Sequence, residues 1–94
     1  MNAAELIQRT QKLNDETKAL QSYWSTLFPE FEALPARQCH VWLGKFRLIE
    51  IIHALDVTLK QHAMRIDKHE DIWSSNAPVF SYVSGVLYKN REER

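Results

Sequence analysis

The sequence predicts an all-α protein, a long N-terminal helix followed by a small bundle of about three helices. Three observations carry that prediction. Apolar residues recur at helical spacing in most of the long segments. Glycine and proline are scarce, two and three in 94 residues, so little turn chemistry exists for a many-stranded sheet. The run Lys45–Met64 combines strong helical periodicity with strong hydrophobicity. A composition of 45% apolar and 26% charged residues is that of an ordinary globular chain.

The first element is expected over residues 2–27. Asn2 is placed to cap it and Glu5, three positions on, completes a capping-box-like pair. Pro29 stops it. Leu6, Leu13, Leu20 and Leu27 repeat every seven residues, with Ala3, Thr10, Thr17 and Trp24 between them. This is an a/d seam with leucine at every d position, the pattern of a coiled coil. Threonine twice at a weakens the seam, and the flanking e and g positions lack complementary charge pairs. Such a helix spans about 39 Å, whereas a domain of the remaining residues has a radius of gyration near 11 Å. Part of the seam therefore projects, and the chain is expected to form a homodimer through these four leucines. Leu6 and Leu13 are most in need of a partner, while Trp24 and Leu27, nearest the domain, can be buried within it. The alternative is a helix laid along its own domain. Residues 1–28 are taken as this dimerisation element and residues 29–94 as the helical domain.

Pro29–Pro35 reads as a linker carrying two apolar plugs, Phe31 and Leu34. A short helix follows over 35–43, with Pro35 suited to its first turn and Gly44 to its end. Its apolar face is Cys39, Trp42 and Leu43. The central helix, 45–64, presents Leu48, Ile51, Ile52, Leu55, Leu59 and Ala63 at spacings of three and four. The two helices meet in a tight corner, but the second is too apolar to enter a DNA major groove. From Arg65 to Asn76 no period dominates, so a loop with at most one helical turn near 68–73 is expected. Ser74, Ser75 and Asn76 are candidate caps for a last helix over 77–90, whose inner face is Val79, Tyr82, Val83, Val86 and Leu87. The charged tail 90–94 is expected to fray.

The residues argue against an enzyme. Glu50 and His53 have the E-x-x-H spacing of di-metal helical bundles, but the further ligands such a site needs do not occur. His62, Asp67, His69, Glu70 and Asp71 cluster in sequence without the spacing typical of zinc, and read as solvated surface. Cys39 and His40 are adjacent, so they point to different sides of a helix and cannot act as a nucleophile–base pair. No glycine-rich phosphate loop or nucleophile elbow occurs. No cofactor is expected. A lone cysteine fits a reducing compartment, and neither a signal peptide nor a membrane span is indicated. A cytoplasmic location and no membrane contact are therefore expected. Acidic and basic residues balance at twelve each, which disfavours extensive DNA wrapping but leaves local contacts open.

One pattern carries a functional expectation. In Pro78–Asn90, Tyr82 and Val86 stand four apart, preceded by the Ile/Ala-bearing helix Leu48–Leu59. This resembles the end of the helical domain of DnaD-like primosome proteins, whose signature is Y-x-x-x-I-x-x-x-W; Asn90 occupies the tryptophan position. The succession Phe28-Pro29, Trp42, Ile51–Leu55 and Pro78–Leu87 is similar, more loosely, to phage helicase loaders. The resemblance implies a small non-enzymatic replication-accessory module that contacts a protein partner of the replication machinery and single-stranded DNA. Tyr88, Lys89 and Arg91 are the residues expected to meet nucleic acid, an aromatic face for stacking and two cations for phosphate. The alternative is a homo-oligomeric interaction or regulatory protein without a nucleic-acid role.

Overall fold

The computed structural model describes residues 2–92, the last of them by its backbone alone. Four helices follow one another: α1 (Ala3–Leu27), α2 (Ala36–Leu43), α3 (Leu48–Lys68) and α4 (Asn76–Glu92). No strand occurs among the described residues. The expected all-α architecture, one long N-terminal helix and three more in a bundle, is the one observed. None of the helices is long and apolar enough to cross a membrane among the described residues.

The start of α1 follows the sequence closely. Asn2 is its N-cap, and its side-chain oxygen accepts from the Glu5 backbone N–H at 2.9 Å. The helix runs for 25 residues, about 37 Å, and divides into two unlike halves. Every residue from Ala3 to Asp15 is exposed, whereas Thr17, Leu20 and Trp24 are buried. The radius of gyration, 14.7 Å, exceeds the roughly 12 Å of a compact chain this long, and the extents are 53 × 31 × 17 Å. The projecting half of α1 accounts for that elongation.

The core forms where the second half of α1 meets the other helices. Trp24 lies at its centre, with ring centroids at 4.6 Å from Phe28, 6.5 Å from Phe31 and 5.3 Å from Phe80. Phe80, half-buried on α4, also meets the edge of Trp42 from α2 at 5.7 Å. Leu20, Leu34, Ile51, Ala54, Leu55, Val79 and Val83 complete the apolar interior. The segment between α1 and α2 is strapped in place by its carbonyls. Glu32 accepts from the Trp24 indole at 2.9 Å and from the Asn76 amide at 3.0 Å, and Leu34 accepts from Gln21 at 2.9 Å.

Several boundaries differ from the sequence reading. The central helix begins at Leu48 rather than Lys45, because Lys45 and Phe46 belong to the turn that closes α2, both N–H groups bonding back to the Trp42 carbonyl. It also runs on to Lys68, one turn past Met64. His69 then takes a left-handed conformation (φ 55°) and the Glu70 N–H returns to the Arg65 carbonyl, a Schellman-type stop. Asn76 is the first residue of α4 and donates to Glu32. Of the tail expected to fray, 90–92 continue α4, and 93–94 lie outside the described residues.

The structure overturns the reading of His62 as solvated surface. His62 lies within α3, continues the inner face Ile51, Leu55, Thr58, and is 4% exposed. Its Nε2 is 3.0 Å from a Glu30 carboxylate oxygen and its ring stacks parallel to Trp73 at 5.7 Å. Arg65 covers Trp73 at 4.7 Å and donates to the Asp71 carbonyl at 3.0 Å, which ties the connecting segment down. Asp67, His69, Glu70 and Asp71 are exposed.

Candidate functional site

The leucine seam does not survive as a single surface. Leu20 is fully buried and Leu27 packs against the core, so both are corrected from dimerisation residues to residues of the domain's own interior. The physical reason is the neighbour they acquire: α2 and the segment before it cover this half of α1, bringing the Cys39 sulfur to 4.0 Å from the Thr17 carbonyl. Leu6 and Leu13 remain outside, 57% and 36% exposed, with Ile7 beside them at 57%. Thr10, between the two leucines, donates its hydroxyl to the Leu6 carbonyl at 2.9 Å. The polar group of the exposed seam is therefore satisfied within its own helix.

The three residues expected at nucleic acid are not one patch. Successive residues of a helix point about 100° apart, and Lys89 lines a groove with His53, Val57 and Val86. Tyr88 and Arg91 face the corner between α2 and α3 instead. There the Tyr88 ring meets Phe46 edge-on at 5.3 Å, and its hydroxyl accepts from Lys45 Nζ at 3.1 Å. The Arg91 guanidinium lies 5.7 Å from the Phe46 ring centre. Arg91 shares a hollow of about 370 Å³ with Lys45, Phe46, Arg47 and Glu50. Sequence reasoning missed Lys45 and Arg47, although the triplet Lys45-Phe46-Arg47 beside Gly44 carries the signal, two cations flanking an aromatic at a turn.

Glu50 and His53 line the outer groove between α3 and α4, together with Ile49, Ile52 and Asp56. Asp56 accepts a hydrogen bond from the Tyr23 hydroxyl. That bond, then burial, then the carboxylate's charge hold the Tyr23 phenol above its ordinary pKa. No group of three or more His, Cys, Asp or Glu side chains is arranged to hold a metal ion among the described residues.

Cys39 is fully buried, and burial pushes its thiol from an ordinary 9.0 up to about 11. Because the neutral form is favoured in the fold, the stability this contributes is intact below about pH 9. It is lost as pH rises toward about 11, where the unfolded chain ionises first. At neutral pH a thiol reagent should modify native Cys39 far more slowly than the urea-unfolded chain, since the thiolate is the reacting species. Equal rates in the two states would place the sulfur at the surface.

No protein-family model matches the chain, and no curated protein or solved structure is significantly similar to it.

Proposed function

We propose that this chain is a non-enzymatic helical interaction module that self-associates through the N-terminal half of α1. The observation that carries the reading is the division of that helix, one half in the core and the other standing clear with Leu6, Ile7 and Leu13 exposed. Leu6, Thr10 and Leu13 follow the three-four spacing of a coiled-coil seam. A second copy brings the same spacing over the same length, about 20 Å for Ala3–Asp15. The Thr10 hydroxyl, already bonded to Leu6, enters such an interface without being orphaned. A pair so short buries little surface, which makes the association weak and concentration-dependent.

Sedimentation equilibrium at tens of micromolar is expected to show a dimer. Leu6→Asp with Leu13→Asp should give a monomer of unchanged thermal stability, because both side chains are outside the core. Leu20→Asp, by contrast, should unfold the domain. A wild-type chain that stays monomeric at those concentrations overturns the reading.

A second reading, a replication-accessory or helicase-loader-like module that touches single-stranded DNA and a protein partner, rests on the DnaD-like resemblance. The observation favouring it is the convergence of Tyr88 and Arg91 with two further cations at the α2–α3 corner.

A further inference from the structure

The α2–α3 corner gathers charge that the chain as a whole lacks. Net charge is zero, with twelve acidic and twelve basic residues, yet Lys45, Arg47 and Arg91 converge on one hollow against a single carboxylate, Glu50, in its lining. The three cations come from two places in the sequence, the turn after α2 and the last turn of α4, so the fold itself assembles them. Two of them, Lys45 and Arg91, are held by aromatic rings. Lys45 Nζ lies 5.8 Å from the Tyr88 ring centre and hydrogen-bonds its hydroxyl, and Arg91 lies over Phe46. Such contacts orient a cation without neutralising it. Tyr88 is itself 43% exposed at the rim.

We infer that this corner is a binding site for single-stranded nucleic acid, with Lys45, Arg47 and Arg91 on backbone phosphates and Tyr88 beneath an unpaired base. The inference rests on the second reading above and adds Lys45 and Arg47 to it, while Lys89, in a different groove, drops out. A strand suits the corner better than a free phosphate, because Lys45, Arg47 and Arg91 are all exposed. Exposed cations hold one small anion weakly, whereas a strand supplies successive phosphates together with a stacking surface. A duplex closes its base faces to Tyr88.

The test is fluorescence anisotropy of the full chain with a short labelled oligothymidylate across a salt series. Three phosphate contacts on a single strand predict a slope of log affinity against log salt of about −2. Lys45→Ala with Arg47→Ala should lower the slope to about −0.7 and weaken binding at low salt at least tenfold, about what two lost phosphate contacts imply. Tyr88→Ala should weaken binding about tenfold with the slope unchanged. Lys89→Ala should leave both unchanged, and circular dichroism should show every variant folded. No binding by the wild type at low salt overturns both the nucleic-acid reading and this site. Binding that survives loss of Lys45 and Arg47 keeps the reading and overturns the site. Complete competition by inorganic phosphate at equal phosphate concentration, or preferential binding to phosphatidylglycerol vesicles, shows that the cations serve another phosphate source and overturns the assignment to a strand.

Discussion

Trp24→Ala should bring the domain to the edge of unfolding at room temperature. The ring is fully buried, touches Phe28, Phe31 and Phe80, and donates its indole N–H to the Glu32 carbonyl at 2.9 Å. Truncating a buried tryptophan costs about 3–5 kcal/mol, and domains of this kind have only about 5–15 kcal/mol in all. Here the loss is compounded, because the same carbonyl also receives Asn76 from the start of α4. One substitution thus loosens α1, the strapped segment and α4 together. Trp24→Phe keeps an aromatic body and forfeits the hydrogen bond, so it should cost clearly less. Urea titration followed by far-ultraviolet dichroism measures both; a loss below about 1 kcal/mol for the alanine variant would contradict the central place given to this ring.

Leu55→Ala should cost about 2–5 kcal/mol through lost burial and a residual cavity. Leu55 is fully buried on the face of α3 that carries Ile51, Ala54 and Thr58. Ile49 supplies the internal control: it belongs to the same helix and is 70% exposed. Ile49→Ala should stay within about 0.5 kcal/mol of wild type. Similar losses at both positions would mean that α3 is rotated from the orientation described.

The sequence exposed the architecture because its strongest signals are local. Asn2 with Glu5, Pro29, and the three-four spacing from Leu48 to Leu59 each act within a turn or two, and all four helices fall where such signals lie. The misread stretches depend on distant partners. Arg65–Lys68 shows no dominant period, yet it is helical because Arg65 covers Trp73 and the chain is stopped by a left-handed His69. His62 is buried by Glu30 and Trp73, one from far upstream and one from the segment that follows. Leu20 and Leu6 occupy equivalent heptad positions, and no periodicity distinguishes them. Only the docking of the other helices on the second half of α1 makes one a core residue and leaves the other in water. The basic corner was half legible: Tyr88 and Arg91 are three apart on one helix, but their meeting with Lys45 joins residues 43 positions apart.

The unequal halves of α1 give it a property that neither half has alone. A helix of some 13 residues without tertiary support is marginal in water, so its ordering is driven from one end by the anchored turns and completed at the other by whatever covers it. If the self-association proposed above holds, winding up and pairing of the segment before Asp15 are a single thermodynamic event, governed by concentration. On that proposal, the length of rigid rod that the chain presents becomes a reading of how crowded it is with its own kind, and a dilute chain is effectively a shorter protein than a concentrated one.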